Sequence, residues 1–493
     1  MLKFTMILTL LITSDIGKSQ LCLPEGYSKK LNHYALSKNL LKLTQQIYLK
    51  RKCLPLWYQN KRLSTNGYSL SVFIGNSDTH GLDSQKILYH RLRTLYHNNT
   101  PQIVKDHLLT FAFIKIYHAL NQKHPHNLQL EKKVLDLHQT LNHKKFLCDM
   151  LPGHRFYYRL HRGLKRYERL SQLTWHKIES KKQNGDYKKK IIHRLLLLGD
   201  MSAKDKDFSK AIKNFQERHG LYPDGKIGYK TLAAINIPFK KKVNIIKSNL
   251  RRWQQTKANL GGNDIIVNLA ANELKIYRNR RIISKILVAS GTPKTQTPLL
   301  STNITHIQIN PKWHIPENIT RTTIIPRALK DLKYLKKNNI KIYDSWSKHA
   351  SELPRTTKYL NLFIKKKKSW RFTQMPGGTN PLGSYKFSLQ HGDGIFLHGT
   401  TNKSAFSRAE RFLSHGCIRL ADPTRLALFL LRTESKTTSK SIIKLVTTGK
   451  TFVRKLKKPY KIYTTYQTAW ADENGTLYFR KDLYGLDKNY LGS

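Results

Sequence analysis

The residues with most chemical promise lie in Ser414-His415-Gly416-Cys417-Ile418-Arg419, with His398 upstream in Phe396-Leu397-His398-Gly399-Thr400 and fifteen residues between His398 and Ser414. A thiol is a strong nucleophile only as thiolate, and a neighbouring imidazole can take its proton or pair with the anion. Attack on a carbonyl carbon creates a tetrahedral oxyanion, which needs donors already in place. Gly416 lets the backbone come close, so the amides of Gly416 and Cys417 are offered for that task. In an extended stretch Arg419 falls on the same face as Cys417, where it can hold a carboxylate or brace the local network. His415 falls on that face too, so spacing leaves both His398 and His415 as candidates for the base. A cysteine near a histidine is by itself usually inert packing, and only the whole constellation argues for acyl chemistry.

Such a motif needs a rigid frame. Asp422-Pro423 fits an N-cap and first helical position, which places the motif between a strand and a helix running through Leu431. Period-two alternation predicts strands over Asp264–Asn268, Glu273–Tyr277, Ile282–Val288, Asn303–Ile309 and Gly394–His398, with a turn near Ala271-Asn272. This β-rich domain is expected over 262–455, interrupted by an insertion at 317–370 that has helical spacing at Ile325–Leu335 and a basic run at Lys365–Lys368. A tail is expected from 456 to 493. Upstream, residues 23–187 read as a helical scaffold, with apolar residues at three- and four-residue spacing in Leu36–Leu49, Ile103–Leu120 and Leu130–Leu141. A compact three-helix unit follows at 188–238: Phe208, Ala211, Ile212 and Phe215 form one apolar face, Gly220 ends that helix, and Tyr222-Pro223-Asp224-Gly225 is a turn. Residues 239–261 read as a connecting helix.

The 493 residues carry 89 Lys and Arg against 30 Asp and Glu, a formal net charge of +59. Such an excess points to a polyanion, of which nucleic acid is the usual case inside a cell. Against that reading, Met1-Leu2-Lys3 is a short positive region, Phe4–Thr13 an apolar run too short to cross a bilayer, and Gly17-Lys18-Ser19 a small-residue cleavage site. We therefore expect a signal peptide over 1–19 and export, and no nucleic-acid partner. Four cysteines are too few for a disulfide scaffold and form no zinc-type pair, although in an oxidising compartment Cys53 and Cys148 could join.

With its spacing, the constellation His398-Gly399-Thr400 plus Ser414-His415-Gly416-Cys417-Ile418-Arg419 resembles the signature of the L,D-transpeptidase family, also called YkuD-like. Gly291-Thr292-Pro293, Thr297-Pro298, Asn310 to Pro316, Pro376-Gly377-Gly378, Asn380 to Gly383, Lys386-Phe387, Pro55-Leu56-Trp57 and Gly81-Leu82 are similar to its large Gram-negative, YcbB-type members. The three-helix unit resembles a peptidoglycan-binding-like domain through Ala211 to Gln216, Gly220-Leu221, Asp224-Gly225, Ile227-Gly228 and Thr231. The resemblance implies a multidomain α+β chain: helical scaffold, peptidoglycan-binding-like domain, and a β-sandwich-like catalytic domain whose insertion caps the cleft. It implies Cys417 as nucleophile, His398 as base oriented by the Gly399 carbonyl, and supporting roles for His415, Gly416 and Arg419. Ser414, Arg371, Pro376, Gly377, Asn380 and Phe396 would line the substrate. Phe396 stands where these enzymes often have Tyr, so any hydroxyl role there is absent. The implied reaction joins peptidoglycan stem peptides through diaminopimelate and releases D-alanine, without metal or organic cofactor, in the periplasm of a Gram-negative cell. Carbapenems are implied as covalent inhibitors. Water, a free D-amino acid or a lipoprotein lysine could replace the acceptor amine, and a non-catalytic wall-binding protein is the rival outside enzymology.

Overall fold

A computed structural model describes Cys22 and residues 38–82, 100–120, 151–179, 186–205, 207–256, 260–366, 370–392, 394–432 and 438–488. The expected signal segment 1–19, the helix expected at 130–141 and Cys148 lie outside the described residues.

The N-terminal helices α1 (Lys38–Lys50), α2 (Thr65–Gly75) and α3 (Gln102–Leu120) bury Ile47, Tyr48, Trp57, Leu70 and Phe113 in one core. Asp106 of α3 explains Pro55-Leu56-Trp57: its carboxylate accepts the Leu56 and Trp57 N–H groups at 2.8 Å each, and the Tyr48 hydroxyl. Cys53 is joined to Cys22 in a disulfide, so the pairing considered with Cys148 is not the one formed.

The expected scaffold domain is divided. Helix α4 (Arg155–Leu170) leaves the first core and packs with α5 (Tyr187–Leu198), α6 (Phe208–Arg218), α7 (Tyr229–Ile235) and α8 (Phe239–Gln254) around Tyr167, Leu195, Phe215 and Leu250. Gly199 and Gly220 end α5 and α6 with φ of 78° and 68°, a region open to glycine at little cost. Gln216 closes the three-helix unit. Its amide reaches Asp224 Oδ1 and the Lys226 carbonyl at 2.8 Å, and its Oε1 accepts from Gly225 N at 2.9 Å.

The β-rich domain begins with β1 (Ile265–Asn268), β2 (Glu273–Arg278), β3 (Arg281–Gly291) and β4 (Ser301–Ile309). It resumes after the insertion with β9 (Tyr385–Leu389), β10 (Phe396–His398), β11 (Phe412–Ser414) and β12 (Ile418–Leu420). Helices α10 (Pro423–Arg432) and α11 (Ser439–Thr447) precede β13 (Phe452–Thr465). The strand order β11-β3-β12-β10-β9-β4-β13-β1-β2 closes because β2 also pairs with the long β3. The two layers expected of a sandwich are thus sides of one ring of strands.

Two expected boundaries are corrected. The domain does not stop at 455, because β13 runs on to Thr465 and pairs with both β1 and β4. Nor are residues 456–493 a loose tail: Ile462, Tyr466 and Tyr484 are buried in the sheet's core, and the hairpin β14 (Ala469–Ala471) and β15 (Leu477–Phe479) completes the core around α4 and α8. The insertion is a subdomain with its own core of Ile324, Leu335, Ile342, Phe372 and Phe363, the last on α9 (Thr357–Lys366). It reaches beyond 317–370, since strands β5 (Trp313–His314) and β8 (Arg371–Gln374) belong to its sheet with β6 (Ile340–Tyr343) and β7 (Glu352–Leu353).

Candidate active site

Strand alternation builds the site. On β9, β10 and β12 the residues Tyr385, Phe387, Leu397, Ile418 and Leu420 turn into the core. Lys386, Phe396, His398 and Arg419 therefore take the other face. Register aligns three of them: Lys386 pairs with His398, and His398 with Arg419. Cys417 precedes β12 on this face and is half-buried.

The motif turn is held by its own residues. Ser414 Oγ donates to the Cys417 carbonyl at 2.6 Å and accepts from Gly416 N at 3.2 Å. Gly416 has φ of 116°, which a side chain rarely allows. Its N–H is engaged by Ser414, so of the two amides offered by the sequence only that of Cys417 is left without such a partner among the described residues. Ser414 is buried and braces the turn instead of lining substrate. Asp422 caps α10 as expected, accepting from Arg425 N at 3.0 Å.

Electrostatically the face is a cluster of cations around a thiol. Burial raises the Cys417 pKa, while the Phe396 N–H, Lys386 and Arg419 act to lower it. Burial lowers Lys386 and Arg419, and the thiolate opposes this in both. His398 is only 5% exposed, and burial, then the charges of Arg419 and Lys386, brings it down to about 4. At neutral pH it is an uncharged imidazole, and burial works against charge on both it and Cys417. Sγ lies 3.8 Å from the Gly394 carbonyl. The backbone at Gly399 and Pro381 favours the imidazolium, although Nδ1 makes no hydrogen bond of regular geometry among the described residues. His415 is exposed.

The remaining candidates separate. Pro376 and Gly377 line a cleft of about 440 Å³ with Gly399, Thr400 and Asp422. Asn380 is fully buried, its amide holding the Pro311 carbonyl at 3.0 Å and its Oδ1 accepting from Leu382 N at 2.9 Å, so it shapes this loop without reaching substrate. Arg371 stands on the capping subdomain, 4.7 Å over the Tyr343 ring. Its charge, then that of Lys386, adds to burial in lowering His314, which links the cap's cations to those of the sheet. Phe396 carries Lys386 Nζ 4.2 Å above its ring, a contact that suits Phe without a hydroxyl. Lys386 itself was not among the site residues expected. The signal was available: it is one strand position from the buried Phe387 and opposite the parity of the core.

A thiol, an imidazole and a row of cations thus share one strand face, and comparison with known proteins shows what domain that face belongs to. Residues 262–473 match the L,D-transpeptidase catalytic domain (YkuD), residues 42–164 a Scaffold domain, and residues 200–235 a "Putative peptidoglycan binding domain". The chain carries an L,D-transpeptidase catalytic domain joined to a scaffold domain and a peptidoglycan-binding domain. A Haemophilus influenzae protein named "Putative L,D-transpeptidase" is 29% identical over 253 residues, 51% of this chain and 50% of its own length. The chain thus spans about half the length of that curated relative. Among solved structures, an L,D-transpeptidase from Xylanimonas cellulosilytica aligns at 15% identity over 56% of this chain and 91% of its own, with a TM-score of 0.18.

Proposed function

We propose that this protein is a periplasmic L,D-transpeptidase that joins diaminopimelate residues of neighbouring peptidoglycan stems, with Cys417 as nucleophile. The observation that carries the reading is one strand face holding Cys417, His398 and Arg419 within the matched catalytic domain. Neutral His398 accepts the thiol proton as Sγ attacks the carbonyl carbon that precedes the terminal D-alanine. The Cys417 N–H and the nearby Arg419 and Lys386 stabilise the oxyanion. Its collapse breaks the C–N bond; D-alanine leaves with the proton from His398, and a thioester remains on Sγ. The side-chain amine of a second stem then attacks, loses a proton to His398, and expels the thiolate.

The Cys22–Cys53 disulfide supports an oxidising compartment and hence export. The cations Lys386 and Arg419 on the strand face suit a substrate rich in carboxylates, and the +59 chain suits an anionic wall. A carbapenem carbonyl would acylate Cys417 by the same first step.

The test is mass spectrometry of a disaccharide-tetrapeptide incubated with the protein and with Cys417→Ala. The expected product is a cross-linked dimer lacking one D-alanine, made by the wild type alone. Tripeptide alone would make water the acceptor and the enzyme an L,D-carboxypeptidase. Equal cross-linking by Cys417→Ala would overturn the assignment.

A further inference from the structure

The loop that bears Cys417 has a support outside the motif. Gly416, immediately before the nucleophile, offers its carbonyl to Thr297 Oγ1 at 2.7 Å. Thr297 Oγ1 in turn accepts from Gly291 N at 2.9 Å, so the hydroxyl is used in both directions. The hydroxyl of Tyr484 binds the two ends of this same turn: it donates to the Gly291 carbonyl at 2.8 Å and accepts from Thr297 N at 3.2 Å. Nearby, Thr292 N and Thr295 Oγ1 both donate to the Ser414 carbonyl, at 3.0 and 2.9 Å. Residues 291–297 therefore grip the nucleophile turn at two carbonyls, and Tyr484 closes the grip.

Tyr484 is well held for that task. It is buried, its ring lies parallel to Tyr466 at 4.8 Å between centroids, and it meets the Phe412 ring edge-on at 5.4 Å. Tyr466 Oη accepts from Tyr484 N at 2.9 Å and donates to Asp482 at 2.9 Å. Further along, Asp487 pairs with Arg252 of α8 at 2.6 Å. A ring so constrained places its hydroxyl with little freedom.

We propose that Tyr484 is a positioning residue for the nucleophile: acting through Thr297, it fixes the Gly416–Cys417 peptide plane and so aims the Cys417 N–H at the oxyanion. In a planar trans peptide the carbonyl and the following N–H point in opposite directions, so holding one oxygen directs the other group. The glycine at 416 leaves this plane free to turn unless something outside the motif stops it. The inference rests on the reading of Cys417 as an acyl acceptor.

The experiment compares the full chain with Tyr484→Phe and Thr297→Val. Tyr484→Phe keeps the stacked ring and deletes only the hydroxyl, so the melting temperature is expected within a few degrees of wild type. Amide exchange over residues 414–417 should accelerate in both variants, a readout that requires no substrate. For donor turnover, kcat should fall about ten- to a hundredfold with KM little changed, a portion of what losing a whole oxyanion donor costs. Alkylation of Cys417 by iodoacetamide forms no oxyanion and should stay within about twofold. Unchanged exchange at 414–417, or equal loss in alkylation and turnover, overturns the proposal. Faster exchange in a protein whose wild type turns over no donor supports the positioning and sinks the catalytic reading instead.

Discussion

Two buried charge clusters in this chain are built on opposite rules. Where α6 meets the C-terminal hairpin, Arg218 and Asp200 are 8% and 1% exposed and joined directly, and Arg218 also donates to the Leu477 carbonyl. Burial works against the Arg218 charge there, but Asp200 more than offsets it and its pKa rises. On the strand face beside Cys417, Lys386, His398 and Arg419 stand in register, burial lowers all three, and the charged groups that shift them are other cations and the thiol. The first cluster is satisfied and fastens two domains together. The second is left in need of negative charge, which the thiolate, the oxyanion and a substrate carboxylate would bring. The joint is built on a carboxylate partner, Lys242 aside, whereas the strand face beside Cys417 is built on cations alone.

The contrast can be broken by substitution. The largest effect is expected from His398→Gln, which removes the proposed base and should lower turnover by about 10²–10⁴ with the fold intact; His415→Gln should cost less, and the reverse order would move the base to the exposed histidine. Asp200→Ala should leave Arg218 buried and unpaired, lowering stability in urea by about 3–5 kcal/mol. Lys386→Met has the opposite profile, with stability equal or higher but the Cys417 pKa moved further up, because a lowering charge is gone. Iodoacetamide labelling across pH reads this as a midpoint displaced to higher pH and slower labelling at pH 7. A stability loss for Lys386→Met like that of Asp200→Ala would erase the distinction.

The joint has one uncompensated member. Lys242 Nζ is 3.1 Å from His219 Nε2, and burial, with the charge of Arg218, brings its pKa down to about 7. The unfolded chain holds this proton up to about pH 10. Between pH 7 and 10 the unfolded state therefore binds more protons, and stability should rise with pH. Lys242→Met should flatten that rise, which is the smallest of these effects; an unchanged slope would place the titration elsewhere.

The sequence showed the motif readily because its chemistry is local: His398, Ser414, Gly416, Cys417 and Arg419 come together through strand parity and one short turn. The helices of the three-helix unit were legible for the same reason, their caps at Gly199 and Gly220 being local. What escaped notice is long-range. The pairing of β13 with β1 and β4, and the burial of Tyr484 against Gly291, depend on partners far away in sequence, and nothing within 456–493 announces them. Lys386-Phe387 was legible as part of the resemblance but without a role, since the pairing of Lys386 with His398 needs β9 beside β10. Asn380 was legible as a special residue, but not whether its amide faces substrate or the backbone it binds.

The most direct test of the central claim is to trap the acyl-enzyme. Tetrapeptide donor without acceptor amine should, after acid quench, add the donor less D-alanine to the protein, and peptide mapping should place the adduct on Cys417. D-alanine release with no adduct on Cys417, or an adduct on another residue, would contradict the account.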